Sequence, residues 1–158
     1  MLETADRSAF DESHEMFRDQ VRKFFAKELE PNLDRWEEAG IVDREFWRAC
    51  GEAGLLCPTM PEEYGGLGLD FGFNAVVGEE LNYAGSSAGL TLQSEITADD
   101  FLAYGSEEQK QHWIPKIVSG EAISAIAMTE PGTGSDLQVI KTTAKKDGNH
   151  FVINGSKT

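Results

Sequence analysis

The hydrophobic period of this chain changes once, just after Gly120. Before that glycine, apolar residues recur at the spacing of one helix face; beyond it they alternate, as along one strand face. Such a chain folds as helices first and strands second, an α+β arrangement. Five helices are expected. The first starts with Asp11 as N-cap and carries Phe17, Val21, Phe24, Phe25 and Leu29 on one stripe. Arg18, Arg22, Lys23 and Lys27 fall largely off that stripe. Pro31 ends the helix, because the residue before a proline avoids the α region, and residues 34–38 add one more turn. Asp43 caps a second helix carrying Phe46, Trp47 and Cys50, which stops at Gly54. Pro58, Pro61, Gly65, Gly66 and Gly68 then mark a loop. A third helix is predicted over 73–84. The fourth opens at Ser86 or Ser87 and closes at Gly105. Ser106 and Gln109 form the capping box of the fifth, which carries Trp113, Ile114 and Ile117 and ends near Gly120. Pro115 should kink it or tighten its last turn. Trp47 and Trp113 both read as core.

Beyond Gly120, Ile123, Ala125 and Ala127 alternate with Ser124, Ile126 and Met128, which predicts a short strand. Residues 139–146 and 150–157 predict two more, joined by the hairpin signal Asp147-Gly148-Asn149. This gives a helical domain over 1–120 and the beginning of a β-domain over 121–158. A three-stranded sheet buries little surface and has open edges. The natural protein is therefore expected to continue past Thr158, and the chain alone to self-associate or exchange strands.

Lys and Arg total 14 and Asp and Glu total 28, a formal charge of −14. That charge repels phosphate backbones and acidic membrane surfaces, so no nucleic-acid or membrane partner is expected. Cys50 and Cys57 lie among apolar residues and read as buried free thiols of a reducing compartment. His14, His112 and His150 are scattered, so no metal site is expected. Residues 1–7 lack the apolar run of a signal peptide and are too acidic for a transit peptide. A cytoplasmic protein is expected, and a processed organellar one would read the same.

The segment Thr129-Glu130-Pro131-Gly132-Thr133-Gly134-Ser135-Asp136 is the clearest candidate for chemistry. Gly132 and Gly134 allow positive φ and close approach of a ligand, and their amides can act as anion donors. Thr129 and Ser135 add hydroxyls that both donate and accept. The loop suits a ligand with phosphates and a flat heteroaromatic ring. It is neither Gly-x-Gly-x-x-Gly nor a P-loop, and a plain turn between two strands remains open. Met60 opens a second glycine-rich stretch, read as a connector. Glu79 and Glu80 are adjacent on a helix and cannot face each other; a solvated face or a helix-packing ion pair fits them better than acid/base chemistry.

Taken in order, several segments resemble the acyl-CoA dehydrogenase family. They are Pro61-Glu62-Glu63-Tyr64-Gly65-Gly66-Leu67-Gly68, Glu79-Glu80-Leu81 and Tyr104-Gly105-Ser106-Glu107-Glu108-Gln109-Lys110. Trp113-Ile114-Pro115, Ser119-Gly120-Glu121, the run from Met128 to Asp136, and Asn154-Gly155-Ser156-Lys157 follow. The resemblance implies an amino-terminal all-α helical bundle followed by the first strands of an incomplete β-barrel-like domain, with a carboxy-terminal helical bundle beyond it. It implies FAD as cofactor and α,β-dehydrogenation of acyl-CoA thioesters in fatty-acid β-oxidation or related acyl-CoA metabolism. An electron-transferring flavoprotein would take the electrons, and the whole protein would be a homotetramer.

Carried onto this sequence, Ile126, Ala127, Met128 and Thr129 would line the pyrimidine side of the flavin, with Thr129 donating a hydrogen bond. Gly134 and Ser135 would lie near the pyrophosphate, and Ser135 would also touch the CoA of the substrate. Leu92, Glu95 and Ile96 would lie in the region that bounds the acyl pocket. No catalytic residue is assigned, because the family's base would fall beyond Thr158. The isolated chain is thus expected to be inactive and to bind FAD weakly or not at all. An acyl-CoA oxidase, or a non-catalytic binding or assembly module of the same fold, are the alternatives.

Overall fold

Asp11 opens the first helix as its place before the apolar stripe predicts: its carboxylate accepts from the Ser13 and His14 amides. The computed structural model describes residues 9–158; the residues read above for targeting signals lie outside that range. The chain divides into two units, one ending at Ser124 and the other running from Ala125 to Thr158.

The first unit is helical. Its elements are α1 (Glu12–Glu28), α2 (Leu33–Ala39), α3 (Arg44–Glu52), α4 (Phe71–Tyr83), α5 (Leu90–Leu92), α6 (Ala98–Tyr104) and α7 (Glu107–Val118). A π-helical stretch, Gln93–Thr97, joins α5 to α6 without a break. Val21, Phe25 and Leu29 of α1 are buried, as are Phe46, Trp47 and Cys50 of α3 and Ile114 and Ile117 of α7. Burial raises both cysteine thiols, Cys57 to about 12, so neither is a nucleophile near neutrality. The Ser106 capping box forms as its spacing predicts. In the glycine-rich connector Tyr64 is buried, and its hydroxyl donates to the Glu107 carboxylate at 3.1 Å. Among the described residues no helix is long and apolar enough to cross a membrane.

Four expectations need correction. Helix α4 begins at Phe71, capped by Asp70, rather than at Phe73. The fourth helix begins at Leu90; Ser86 does not cap it but accepts from the nearby Ala88 amide. Trp113 is 41% exposed, since Ile114 and Ile117 define the inward face of α7 and Trp113 lies one residue, about 100°, around from Ile114. Arg18 is buried: three residues before Val21 and seven before Phe25, it stands on the same face as the apolar stripe, where α1 meets α4.

The π stretch supplies three buried polar side chains, each with a partner. Gln93 Nε2 donates to the Ile117 carbonyl at 2.9 Å, and Gln93 Oε1 accepts from the Ser124 amide at 2.9 Å. Ser94 Oγ accepts from the Cys57 amide at 2.9 Å. Thr97 Oγ1 donates to the Gln93 carbonyl at 3.2 Å.

His14 clasps the starts of α1 and α4. Its Nδ1 lies 2.9 Å from Asp11 Oδ1 and its Nε2 3.0 Å from Asp70 Oδ1. Nδ1 is also 3.1 Å from the Asp11 amide, from which it accepts when neutral. The Asp70 carboxylate raises the His14 pKa above 6.5 against the opposing effect of burial. A raised folded pKa adds stability that is fully present below the unfolded value, 6.5, and is lost as pH rises through the folded value. The urea midpoint is therefore expected to fall across that window in the wild type. In His14→Gln it should stay flat there, as equilibrium unfolding at graded pH will show.

The second unit contains one antiparallel hairpin, β1 (Thr143–Asp147) and β2 (His150–Asn154), with Thr143 opposite Asn154 and Asp147 opposite His150. Gly148 opens the two-residue turn at φ +61°, where a type II′ turn requires glycine. The strands predicted over 139–146 and 150–157 are thus shorter than expected, and Val139 lies in a 3₁₀ turn, Leu137–Val139. The predicted strand of residues 123–128 does not form. Alternation prepares a strand, but a strand exists only through a ladder partner, and among the described residues this stretch has none.

Candidate functional site

Residues 126–129, outside any helix or strand, lead into a tight turn. The Glu130 amide donates to the Thr133 carbonyl and the Thr133 amide to the Glu130 carbonyl, both at 3.0 Å, closing a loop whose tip is Pro131-Gly132. The expected positive φ is absent at Gly132 and Gly134, so the Pro131-Gly132 turn is not type II. A Cβ at either glycine would meet nothing within 4 Å. Among the described residues nothing requires glycine at either position, and the bare backbone leaves this face open.

Two carbonyls of this run are occupied. The Met128 carbonyl accepts from Lys157 Nζ at 3.1 Å and the Thr129 carbonyl from the Thr158 amide at 2.9 Å. Among the described residues the amides of 126–129 have no partner. The stretch therefore presents free donors, the groups that acceptors on a flat heteroaromatic edge need. Ile126 is half-buried, while Ala127, Met128, Thr129, Gly134 and Ser135 are exposed. The structure joins Met128 and Thr129 to the carboxy-terminal residues; among the described residues no hydrogen bond ties Gly134 or Ser135 to 126–129.

Glu130 is buried beneath this run. Its Oε2 accepts from the Lys141 amide at 2.8 Å and its Oε1 from the Thr142 amide at 3.0 Å, with Lys157 Nζ 3.1 Å away. The Thr142 hydroxyl beside it and the Lys141 and Thr142 amides hold its carboxyl down at about 2. That hydroxyl stops short of hydrogen-bond geometry, so the two amides are the firm partners. Sequence reasoning missed Glu130 and Lys157 as a pair, although both stand inside segments it had singled out. A lone acid in a glycine loop gives no sign of burial.

In the first unit, Leu92 is half-buried and Ile96 is 44% exposed. Glu95 is half-buried, and burial, then the Asp99 charge, push its carboxyl up. A separate cavity of about 700 Å³ lies between Trp36, Trp47, Ile41 and the Ser86–Gly89 loop, and none of these candidate residues lines it.

A helical unit followed by an open glycine loop and a hairpin is the class of structure defined here, and known proteins share it. Residues 11–121 match the model of the acyl-CoA dehydrogenase N-terminal domain, and residues 125–158 that of its middle domain. The chain belongs to the acyl-CoA dehydrogenase family. It is 47% identical to the mitochondrial long-chain specific acyl-CoA dehydrogenase of Sus scrofa over 96% of this chain and 35% of that protein. It is 40% identical to (2S)-methylsuccinyl-CoA dehydrogenase of Cereibacter sphaeroides, over 98% of this chain and 29% of that one. Among solved structures, an acyl-CoA dehydrogenase of Geobacillus kaustophilus superposes with a TM-score of 0.92 at 51% identity, covering 96% of this chain and 40% of that one. A glutaryl-CoA dehydrogenase of Mycobacterium smegmatis in complex with FADH2 superposes at 0.85 with 29% identity, over 94% and 39%. The chain thus spans about a third of the length of the curated relatives it matches.

Proposed function

We propose that this chain is the helical domain, 1–120, and the start of the β-domain, from 121, of an FAD-dependent acyl-CoA dehydrogenase acting on acyl-CoA thioesters. The observation that carries the reading is the run of free amides over 126–129, with the Met128 and Thr129 carbonyls held, next to the open faces of Gly132 and Gly134. Bound FAD supplies the acceptor for the hydride that leaves the β-carbon. Ile126, Ala127 and Met128 line the pyrimidine edge, and the Thr129 hydroxyl donates to it. Gly134 leaves room for the pyrophosphate, and Ser135 hydrogen-bonds to it and to the CoA portion of the substrate. None of these residues takes the α-proton; their work is to bind and orient.

Electrons pass on to an electron-transferring flavoprotein, and the whole protein is a homotetramer. Cys50 and Cys57, buried and free, fit the reducing cytoplasm expected from the sequence. They fit equally a mitochondrial compartment like that in the name of the Sus scrofa relative.

The test uses the protein that carries this chain, loaded with FAD. Acyl-CoAs of graded length are expected to bleach its flavin absorbance under anaerobic conditions. Thr129→Val is expected to weaken FAD binding about tenfold, the effect of one lost hydrogen bond to a buried acceptor. Flavin that no acyl-CoA reduces would sink the proposal.

A further inference from the structure

In the second unit only Glu130 and Thr133 are buried. A carboxylate is therefore the buried centre of a unit whose two strands are exposed along their whole length. Glu130 holds three donors at once: the Lys141 and Thr142 amides and the Lys157 ammonium. Lys157, with 29% of its side chain exposed, shares its ammonium between Glu130 and the Met128 carbonyl. A trans peptide is planar, with its N–H pointing opposite to its C=O. Holding the Met128 carbonyl toward Lys157 therefore aims the Thr129 amide the other way, out of the latch. The Thr158 amide on the Thr129 carbonyl fixes the next peptide in the same manner.

We infer that Glu130 and Lys157 form a positioning pair, which fixes the Met128–Thr129 peptide so that the Thr129 amide donates to the acceptor edge of the flavin. This rests on reading the loop as a flavin site. Neither side chain touches the flavin; both act through the peptide. Glu130 is ionised throughout the working range, because its lowered pKa keeps it charged until pH falls to about 2. The pair is thus a permanent latch and not a pH switch.

A hairpin staple with no bearing on the flavin would leave the flavin's own properties unchanged, and the test turns on that difference. Wild type, Glu130→Gln, Lys157→Met and Lys157→Arg are compared in the FAD-loaded protein for FAD affinity, flavin absorbance spectrum and reduction potential. Glu130→Gln and Lys157→Met are expected to weaken FAD binding roughly tenfold or more, the effect of losing a hydrogen bond to a charged group. Both should also shift the potential of the flavin that remains. Lys157→Arg keeps the charge and is expected to restore wild-type values. Should Glu130→Gln fail to fold, the more exposed Lys157 carries the comparison. Wild-type protein that takes up FAD, with Glu130→Gln and Lys157→Met equal to it in affinity, spectrum and potential, overturns the inference alone. Wild-type protein that takes up no FAD overturns the reading of the site and the inference together.

Discussion

Glu80→Leu is expected to lower the unfolding free energy by about 3 kcal/mol or more, the usual consequence of stripping a partner from a buried ion pair. The Glu80 side chain is 4% exposed and that of Arg18 5%. One Glu80 oxygen accepts from Arg18 Nη1 at 2.9 Å and Arg22 Nη2 at 3.0 Å; the other accepts from Arg22 Nε at 2.7 Å. Arg18 Nη1 also reaches Glu79 at 2.7 Å, while its Nη2 is buried without a hydrogen-bond partner. Removing Glu80 leaves the buried Arg18 charge with Glu79 and the largely exposed Glu15 against it. The partners differ in a way that makes the claim checkable. Arg22 is 56% exposed, so Arg22→Met should cost no more than about 1 kcal/mol, as exposed pairs do. The double variant Arg18→Met with Glu80→Leu removes both buried charges and should recover most of the loss. Urea unfolding of the four proteins decides it. If Arg22→Met costs as much as Glu80→Leu, burial is not what makes this network matter.

This network also marks where the sequence stopped being readable. The apolar stripe of α1 was legible because helix spacing is local, and Val21, Phe25 and Leu29 are buried as it required. The caps at Asp11 and Ser106 were legible for the same reason: donor and acceptor lie within a few residues. Arg18 stands on that face by the same spacing, but the period does not report the carboxylates about sixty residues away that let a charge be buried there. The same limit governs the strands. Residues 143–147 and 150–154 find each other across a two-residue turn, whereas 123–128 alternates just as well and has no ladder partner among the described residues. In the candidate site the glycine loop was legible as a ligand-tolerant turn, since Pro131, Gly132 and Gly134 are chemically explicit. Its positive φ angles were not found, because the turn closes between Glu130 and Thr133 in a form that does not need them. Glu130 and Lys157 both stood in recognised segments, yet their pairing joins points 27 residues apart in the chain.

Gly120→Ala is the second substitution expected to damage the fold severely, and two neighbouring glycines show why. Gly120 ends the turn after α7 at φ +73°, and a Cβ there would lie 2.2 Å from the Trp47 carbonyl oxygen. Gly51 sits inside α3, and its Cβ would lie 2.4 Å from the Ser119 carbonyl. Trp47 and Gly51 are one turn apart on α3 and share a face, so α3 and the end of α7 meet backbone to backbone. A backbone neighbour cannot swing aside as a side-chain tip can. The contact lies beside the buried side chains of Trp47, Cys50 and Ile117. Gly40 supplies the control: its φ is +68°, and a Cβ there would meet nothing within 4 Å. Gly40→Ala should therefore cost only the left-handed backbone strain, about 1–2 kcal/mol. Gly51→Ala should cost the overpacking, about 1–3 kcal/mol, less up to about 1 kcal/mol regained because alanine favours a helix. Gly120→Ala carries both strain and overpacking and should cost about 3 kcal/mol or more. Thermal unfolding of the three variants is expected to place Gly120→Ala well below the other two. Equal melting temperatures for Gly120→Ala and Gly40→Ala would mean that α3 and the end of α7 can separate without cost.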